Sequence, residues 1–594
     1  MATIQQYFSI GSASSAKWLN EESFIYNSNK SGVNQIWERS LKTGEDKQRT
    51  FFSERIWTVK TFGEDIFFTM DLGGNEQEQL HVLRAGEEAV ALTQNYAARH
   101  QLGGVKPDGK TVVYSCNARD PKSFDICQMN IETGEQEIVL VNTDNYNMPA
   151  ALSPNGRYFL YNKLKAQSDN CMWILDIETR TAKNIDPNAG NAAYTNPVWK
   201  KDSSGFYFLT DKDCEFKYLA YYDVASGTFS KVYEENWDVE DIALSYDDKY
   251  LSVKVNRDGY SVLEIYNTVK ECFENVPSLP KGVMAYYGTS WAPASHRLLV
   301  TLTSGQRPSD IWLMDIDNEK VERVTFTDLQ GIDKDDLVEP ELHHFESFDG
   351  LVVPYWLYKG KNSKNSRSVV CEFHGGPEGQ ERPMFSPLIQ YLVNEGLTVV
   401  APNIRGSVGY GKTYHHLDDI EKRLDSVRDA AALNKHLSEV GIADADKIAV
   451  MGTSYGGYMT LSCVAQNPDL WCAGVDTVGM SNLETFLENT AEYRRAHRES
   501  EYGSLANHRE ILREVSPIHK VNDITAALMV VHGANDPRVP VGEAEQIVAS
   551  LRNRDVPVEY LRYEDEGHGI SKRKNQFDCY PKVAAFLKKH LKVE

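Results

Sequence analysis

The segment Gly452-Thr453-Ser454-Tyr455-Gly456 matches G-x-S-x-G, a pattern in which a serine hydroxyl can serve as nucleophile. So short a pattern is common by chance, and Gly288-Thr289-Ser290-Trp291 comes within one glycine of it. The flanking residues distinguish Ser454, because residues 447–451 predict a buried strand before it and residues 458–466 predict a helix after it. A strand, a sharp turn and a helix form the elbow that exposes a nucleophilic serine, and a structural serine is the alternative.

A serine nucleophile needs a general base, and the base needs an orienting acid. In an α/β elbow arrangement the chain order is serine, acid, histidine, each following a strand. His568 lies between two glycines directly after the predicted strand 558–563, so its side chain can enter a crowded site. His590 falls in the predicted final helix, residues 580–591, near its C-terminus. His568 is therefore the predicted base; the other candidates are His497, His508, His519 and His532.

Two aspartates compete for the role of the acid. Asp536 follows the predicted strand 527–531, and Asp476 follows the predicted strand 473–475. We favour Asp536, because the acid usually follows the later strand, although some hydrolases place it one strand earlier. Residues 564–566 are also acidic, but their position next to His568 in the chain suggests a solvated turn.

The negative oxygen formed during acyl transfer needs two backbone N–H donors. One donor is expected from Tyr455, the residue after the nucleophile. The other is expected from His374-Gly375-Gly376-Pro377, which follows the predicted strand 369–373, with Gly376 favoured. A tight structural turn is the alternative for this segment.

Residues 336–594 alternate apolar runs of strand length with helical patterns. The runs are 368–373, 397–400, 447–451, 473–475 and 528–531. Continuous apolar strands alternating with helices are typical of a mostly parallel sheet covered on both faces. We predict that these residues form an α/β-hydrolase catalytic domain.

Residues 1–335 instead repeat a polar turn that leads into an aromatic or β-branched strand, as in residues 107–114. The unit recurs about every 40–50 residues, in step with a second unit in which a strand ends at a turn. Seven copies predict a seven-bladed β-propeller that filters substrates by size, with a β-sandwich as the alternative.

The propeller and five motifs together resemble the prolyl oligopeptidase family; the motifs are residues 373–377, 403–411, 452–458, 536–540 and 567–569. The His-Gly-Gly-Pro form and residues 480–483 resemble its acylaminoacyl-peptidase branch. The resemblance implies a catalytic triad, two oxyanion donors and a side chain that holds a substrate carbonyl: Ser454, Asp536 and His568, then Tyr455 and Gly376, then Arg538. Relatives nearer to prolyl oligopeptidase itself use a tyrosine hydroxyl as an oxyanion donor, and His374 in that motif implies its absence here.

The leading hypothesis is a serine peptidase that acts on short peptides and releases an N-acylated residue through an acyl-enzyme on Ser454. Alternatives are a dipeptidyl or aminopeptidase-like exopeptidase that requires a free α-amine, a small-acyl esterase, and an inactive propeller scaffold. Glu234 and Glu235 offer a propeller glutamate pair like the one that dipeptidyl peptidases use, but a solvated turn explains them better. Phe486 is a candidate for substrate binding that core packing explains equally well.

The bulk properties narrow the class of protein. The formal charge of −22 argues against a nucleic-acid partner, which needs a basic surface. Nine cysteines without a C-x-x-C pair or a histidine cluster predict reduced thiols and no metal or other cofactor. The sequence shows no signal peptide and no apolar run of membrane-spanning length, so we expect a cytoplasmic protein without a membrane partner. The resembled branch leads us to expect a homo-oligomer.

Overall fold

Aromatic and β-branched runs between polar turns fold into antiparallel sheets in the first half of the chain. The computed structural model describes residues 2–143, 146–166, 168–188, 190–360 and 367–593. Within these residues, seven four-stranded sheets follow one another along the chain before the first strand of a larger sheet.

The strands of the seven sheets have the following bounds. The first three sheets hold β1 (Ser14–Asn20), β2 (Ser23–Ser28), β3 (Gln35–Ser40) and β4 (Asp46–Gln48); β5 (Ile56–Phe62), β6 (Asp65–Met70), β7 (Gln79–Leu83) and β8 (Val90–Ala91); β9 (His100–Val105), β10 (Thr111–Asp120), β11 (Ser123–Asn130) and β12 (Gln136–Leu140). The next two hold β13 (Tyr146–Leu152), β14 (Tyr158–Leu164), β15 (Asn170–Asp176) and β16 (Thr181–Asn184); β17 (Tyr194–Trp199), β18 (Gly205–Thr210), β19 (Tyr218–Asp223) and β20 (Thr228–Tyr233). The last two hold β21 (Val239–Leu244), β22 (Tyr250–Arg257), β23 (Tyr260–Asn267) and β24 (Cys272–Glu274); β25 (Val283–Trp291), β26 (Arg297–Ser304), β27 (Arg307–Asp315) and β28 (Lys320–Arg323).

The repeated polar turn has a local cause. Asp108 Oδ1 accepts hydrogen bonds from the backbone N–H groups of Lys110 (2.8 Å) and Thr111 (2.9 Å). Asn155 Oδ1 accepts one from Arg157 (3.0 Å) at the corresponding turn of a later sheet. A short polar side chain thus closes the turn that leads into each following strand.

The first and last sheets meet and close the ring. The indole N–H of Trp18 on β1 donates to the carbonyl oxygen of Ser290 on β25 (2.9 Å). Arg297 pairs with Glu21 at 2.6 Å across the same junction, and Trp18 shares an apolar cluster with Leu299. The predicted seven-bladed β-propeller is confirmed.

The second half forms one eight-stranded sheet flanked by helices. Its strands are β29 (Glu341–Glu346), β30 (Val352–Lys359), β31 (Val369–Phe373), β32 (Thr398–Pro402), β33 (Ile448–Thr453), β34 (Ala473–Thr477), β35 (Ala527–Gly533) and β36 (Val558–Tyr563). They lie in the order β29-β30-β32-β31-β33-β34-β35-β36. β30 is antiparallel to both of its neighbours, and all other pairs are parallel.

The helices are α1 (Ile4–Ser9), α2 (Pro387–Asn394), α3 (Lys412–His415), α4 (Arg423–Glu439), α5 (Tyr455–Gln466), α6 (Leu483–Asn489), α7 (Glu492–Tyr502), α8 (Arg509–Glu514), α9 (Gly542–Arg552) and α10 (Arg573–Leu591). The central strands are apolar on both sides, because each face of the sheet has its own core. Val369 and Cys371 face a core shared with α4 and α5, whereas Val370 faces a core shared with α10. The predicted α/β-hydrolase fold is confirmed.

Helix α1 lies within residues 1–335, which the sequence predicts to form the propeller, but it contacts helices of the hydrolase domain. Its Phe8 ring stacks on Tyr580 of α10, with centroids 4.3 Å apart, and Tyr7 contacts Tyr391 of α2 at 5.7 Å. Helix α1 therefore packs against the helices of the hydrolase domain. The division at residue 335 stays a prediction; the last propeller strand ends at Arg323 and the large sheet begins at Glu341.

The propeller lies against the hydrolase domain through charged contacts. Arg382 pairs with Glu240 at 2.9 Å, and Lys572 pairs with Glu54 at 3.0 Å. The loop at residues 71–78, between β6 and β7, also reaches the hydrolase domain, where the Asn535 amide donates to the Gly73 carbonyl oxygen (3.0 Å). In the part of the chain that the structure describes, no helix is both long and apolar enough to cross a bilayer.

Candidate active site

Ser454 occupies a strained turn between β33 and α5. Its φ and ψ are 63° and −116°, a region that residues other than glycine rarely adopt. The Ser454 N–H donates to the Thr477 carbonyl oxygen of β34 (2.8 Å), and the Ser454 carbonyl oxygen accepts from Tyr458 of α5 (3.0 Å). These bonds hold the serine at the carboxyl edge of the sheet.

The glycines of the motif are required by close backbone contacts. A Cβ added at Gly456 would overlap the carbonyl oxygen of Phe373 on β31. One added at Gly452 would lie 2.5 Å from the backbone of Gly456. No side chain fits at either position, which explains the G-x-S-x-G pattern physically.

His568 and Asp536 are joined by a hydrogen bond. The Nδ1 of His568 donates to Oδ2 of Asp536 at 2.6 Å, while Asp536 Oδ1 accepts from the backbone N–H groups of Arg538 (2.8 Å) and Val539 (3.0 Å). Asp536 follows β35 and His568 follows β36, so both lie at the edge that carries Ser454. Among the described residues, His568 is hydrogen-bonded to Asp536, and no hydrogen bond joins it to Ser454 Oγ.

The charge of Asp536 follows from its surroundings. Burial of this side chain, which is 6% exposed, would raise its pKa. The facing His568 and the accepted hydrogen bonds outweigh burial and hold the pKa of Asp536 below its ordinary value. The carboxylate is therefore ionised at neutral pH and keeps the proton of His568 on Nδ1, which leaves Nε2 available as a base.

The competing acid, Asp476, has a different environment. It is fully buried, and its Oδ1 accepts from the Gly479 N–H at 2.9 Å. Its Oδ2 has no hydrogen-bond partner among the described residues, and burial raises the pKa of Asp476 to about 7. Asp476 does not contact His568, so the geometry favours Asp536 as the orienting acid.

Among the other candidate histidines, His532 comes nearest. It is fully buried beside the acid, 3.7 Å from Asp536 Oδ2, and its Nε2 donates to the Val539 carbonyl oxygen (2.9 Å). Burial lowers the pKa of His532, so its ring is neutral and packs behind the acid. His590 lies in the last turn of α10 against Phe586.

The expected oxyanion donors flank the serine. Tyr455 is the first residue of α5, where N–H groups lack helical partners. A Cβ added at Gly375 would lie 3.5 Å from Ser454 Cβ, which places the His-Gly-Gly-Pro loop beside the nucleophile. Gly376 has a φ of 137°, and its carbonyl oxygen accepts from Arg498 (3.3 Å). His374 bonds to Gly375 and to Ser407, so it holds the loop.

Arg538 contacts the propeller rather than helix α9. Its Nε donates to Glu76 Oε1 at 2.5 Å, and Glu76 is only 2% exposed. An ion pair with Glu543 or Glu545 of α9 would make Arg538 an ordinary surface arginine. Neither pair forms, because Glu543 bonds to residues 481–485 and Glu545 pairs with Arg562. The side chain of Arg538 is 34% exposed and lies in the cleft between the domains.

Comparison with known proteins decides the family. The model of the prolyl oligopeptidase family matches residues 383–594, and the model of the prolyl oligopeptidase N-terminal β-propeller domain matches residues 47–327. The chain belongs to the prolyl oligopeptidase family. It is therefore a serine peptidase by family, with hydrolase chemistry.

Several curated members of the family are similar to the chain. A dipeptidyl peptidase family member 6 of Caenorhabditis elegans is 24% identical over 94% of this chain and 82% of its own length. Dipeptidyl aminopeptidase BIII of Pseudoxanthomonas mexicana is 35% identical over 35% of this chain and 31% of its own length. The acylamino-acid-releasing enzyme of Arabidopsis thaliana is 25% identical over 40% of this chain and 32% of its own length.

Solved structures share the two-domain fold. A puromycin-hydrolyzing peptidase of Mycobacterium tuberculosis superposes with a TM-score of 0.88, over 100% of this chain and 96% of that one, at 18% identity. A prolyl endopeptidase superposes with a TM-score of 0.87 over 100% of this chain and 91% of that one, also at 18% identity. At such identities the likeness establishes the fold alone.

Phe486 lies on the inner side of α6. Its side chain is 3% exposed and contacts Tyr502 edge-on, with ring centroids 5.9 Å apart. Both rings belong to the larger core of the hydrolase domain. This placement favours core packing, and a role of Phe486 in substrate binding stays a prediction.

The propeller glutamates near the site are not those considered from the sequence. Glu234 pairs with Lys231 and Glu235 pairs with Arg257, both on the blade surface. Glu76 and Glu78, on the loop that reaches the hydrolase domain, lie in the cleft instead and bind Arg538 and Arg99. The signal in the sequence was the Gly73-Gly74 pair, which lets this loop approach another backbone closely.

Two acidic groupings lie behind the oxyanion loop. Glu378, His415 and Glu501 have ligand atoms within 4.8 Å of one another, as do Asp418, Asp419 and Glu501. Arg498 pairs with Glu378 at 3.1 Å, and Arg423 pairs with both Asp418 and Glu501. Guanidinium groups thus already supply the positive charge that these carboxylates need.

Proposed function

We propose that the chain is a serine exopeptidase that releases an N-acylated residue from the blocked N-terminus of a short peptide. The observation that carries the proposal is the 2.6 Å hydrogen bond between His568 and the ionised Asp536, at the sheet edge that presents Ser454. Acylamino-acid-releasing enzymes among the relatives support the choice of substrate.

The proposed reaction proceeds through an acyl-enzyme. His568 Nε2 takes the proton of Ser454 as its Oγ attacks the scissile carbonyl carbon, and the N–H groups of Tyr455 and Gly376 stabilise the negative oxygen. The protonated His568 then gives its proton to the leaving amine, and the C–N bond breaks. A water activated by His568 attacks the ester carbon and restores the serine. Asp536 holds the imidazolium throughout.

The charges in the cleft favour a blocked N-terminus over a free ammonium. Glu76 Oε1 binds Arg538, and Glu78 binds Arg99 at 2.6 Å, so each of these propeller carboxylates already has a cationic partner. Arg494 adds a positive charge nearby that has no carboxylate partner among the described residues. A free α-ammonium would be repelled, whereas an acylated nitrogen is neutral.

A second candidate is an exopeptidase that binds a free α-amine. Glu76 Oε2 is buried without a hydrogen-bond partner among the described residues, and Arg99 Nη1 lies 4.0 Å from it. An ammonium could bind this oxygen while Arg538 holds Oε1 of the same carboxylate. The dipeptidyl peptidases among the relatives support this alternative.

Three substrates separate the two candidates. We expect N-acetyl-alanine p-nitroanilide to have a higher kcat/KM than alanine p-nitroanilide and alanyl-alanine p-nitroanilide. Glu76→Gln should then change the ratio of blocked to free substrates little, with Glu235→Gln as the matched propeller control. Preference for the free dipeptide, lost in Glu76→Gln and kept in Glu235→Gln, would establish the amine-binding candidate instead.

The cellular setting and assembly are part of the same proposal. All nine cysteines are unpaired, which suits a reducing compartment and supports a cytoplasmic location. A homo-oligomer is proposed from the resemblance to the acylaminoacyl-peptidase branch alone. Sedimentation velocity of the purified protein tests it, and a single species with the 67.1 kDa mass of one chain would exclude it.

A further inference from the structure

Helix α7 forms one wall of the cleft between the acid loop and the oxyanion loop. Just before its first turn, the Ala491 N–H donates to the carbonyl oxygen of Pro537, the residue after the proposed acid (3.2 Å). Further along, Arg498 Nη1 donates to the Gly376 carbonyl oxygen (3.3 Å). The helix therefore runs past the position that the scissile bond occupies in the proposed reaction.

Arg494 lies between these two anchors. It precedes Arg498 by four residues, so both side chains project from the same face of α7, about 6 Å apart along the axis. Arg538, at the other end of this wall, is close enough to lower the pKa of Arg494. The Arg494 guanidinium is thus placed on the cleft side of the helix.

The two neighbouring arginines have carboxylate partners, and Arg494 has none among the described residues. Arg498 pairs with Glu378 at 3.1 Å, and Arg538 pairs with Glu76 at 2.5 Å. The Nε of Arg494 is buried without a hydrogen-bond partner. Glu76 lies near enough to raise the pKa of Arg494, but the Glu76 carboxylate is bound by Arg538.

An unpaired guanidinium among like charges is unfavourable in the free protein. Burial, together with the like charges of Arg498 and Arg538, lowers the pKa of Arg494 to about 10. The group nevertheless stays protonated at neutral pH. A negatively charged ligand would relieve both the desolvation and the repulsion, and a planar carboxylate matches the guanidinium fork.

We propose that Arg494 binds a carboxylate of the substrate and gives the enzyme a preference for acidic peptides. The inference rests on the proposed peptidase function and adds a specificity-determining residue to it. Two sources share this chemistry: the side chain of an aspartate or glutamate beside the scissile bond, and the free C-terminus of a very short peptide. Arg498 and Arg538 are already paired, so among these three arginines Arg494 is the one with an unoccupied positive charge.

The test compares matched acid and amide substrates. N-acetyl-glutamate p-nitroanilide against N-acetyl-glutamine p-nitroanilide probes the side chain, and N-acetyl-dialanine against its C-terminal amide probes the chain end. We expect wild type to favour the acid in one pair by about 10- to 100-fold in kcat/KM, the effect of a charge-assisted hydrogen bond. The pair that shows the preference identifies the source of the carboxylate.

Variants assign the preference to the residue. Arg494→Gln should lower the acid-to-amide ratio by about the same factor, and Arg494→Lys should restore part of it. Arg495→Gln is the matched control, because Arg495 bonds to the carbonyl oxygens of Leu487 and Glu488 on the other side of the helix. The ratio is independent of the fraction of protein that folds. An equal ratio in wild type and Arg494→Gln would overturn the proposal.

A binding measurement separates this proposal from the peptidase function. Ser454→Ala protein is titrated with fluorescein-labelled acidic and amidated peptides, and the acidic one should bind about 10- to 100-fold more tightly only when Arg494 is present. If wild type hydrolyses none of the substrates while this binding difference holds, the proposed function fails and the carboxylate site stands. Equal binding of both peptides would remove the site, whatever the activity.

Discussion

Two buried aspartates near Ser454 differ in their charge because they differ in their partners. Asp536 faces His568 and accepts two backbone hydrogen bonds, which hold its pKa low. Asp476 accepts one backbone bond and is protonated for much of the range below pH 7. Only the first can keep the proton of His568 on Nδ1.

This difference predicts unequal effects of the same substitution. Asp536→Asn should lower kcat by about 10⁴-fold, because an amide favours the wrong imidazole tautomer. Asp476→Asn should stay within about 10-fold of wild type, since its carboxyl group is already neutral in large part. Steady-state kinetics on one acyl p-nitroanilide decides between them, and the reverse ranking would move the acid role to Asp476.

The raised pKa of Asp476 also predicts a pH dependence of stability. Between about 4, the value in an unfolded chain, and about 7, the folded protein keeps a proton that the unfolded chain releases. The free energy of unfolding contributed by this group therefore falls as the pH rises through that window. Urea denaturation should show Asp476→Asn gaining stability relative to wild type from pH 5 to pH 8. A constant difference between the two proteins would contradict the assignment.

At the scale of single elements, the loop at residues 71–78 connects the propeller to His568, the proposed base. A Cβ added at Gly74 would lie 2.5 Å from the Gly567 backbone nitrogen, next to His568. Backbone cannot yield as a flexible side chain does, so the loop fits only with glycine at this position. The propeller thus contributes to the position of the loop that carries His568.

Gly74→Ala should therefore disturb the His568 loop and lower kcat at least about 10-fold on both a small ester and a peptide substrate. Gly86→Ala is the matched control: its φ of +76° equals that of Gly74 (+78°) within two degrees, but nothing lies within 4 Å of the added Cβ. Both variants carry the same backbone strain, so a difference in kcat between them measures the effect of the contact between residue 74 and the Gly567 backbone. Equal activities in the two variants would show that the loop does not position His568.

The sequence predicts those helices and strands whose residues form a pattern within one short segment of the chain. The strand before Ser454 was predicted at 447–451 and found at Ile448–Thr453, and the strand Val558–Tyr563 was found as predicted. Helix α10 begins at Arg573 rather than near 580, and Pro581 lies inside it. Helix α1 has a capping box at Thr3 and Gln6, but six residues are too few for a helical period.

At the scale of the whole molecule, contacts across the chain were beyond prediction. Arg538 and Glu76 are 462 residues apart, and neither pattern nor composition relates them. The proposed triad could be named from the sequence, because each of its three members follows a strand in a fixed order. No sequence pattern singled out Arg494, because its proposed role depends on its lack of a carboxylate partner in the folded protein.

The stacked domains predict a size limit on substrates. A propeller held over the sheet edge should admit peptides below roughly 30 residues and exclude folded proteins. Arg382→Gln removes the pair with Glu240 at the domain interface and should raise the rate on longer peptides relative to short ones. Arg157→Gln, which removes a pair within one blade, is the control. Rapid digestion of a folded protein by wild type would exclude the filter.

We propose Ser454 as the nucleophile of a triad with His568 and Asp536. Labelling with a fluorophosphonate probe, followed by peptide mass spectrometry, tests it most directly. We expect one adduct per chain, on Ser454, no labelling of Ser454→Ala, and labelling of Asp536→Asn that is slower than wild type by orders of magnitude. An adduct on another serine, or equal labelling of wild type and Ser454→Ala, would contradict the account.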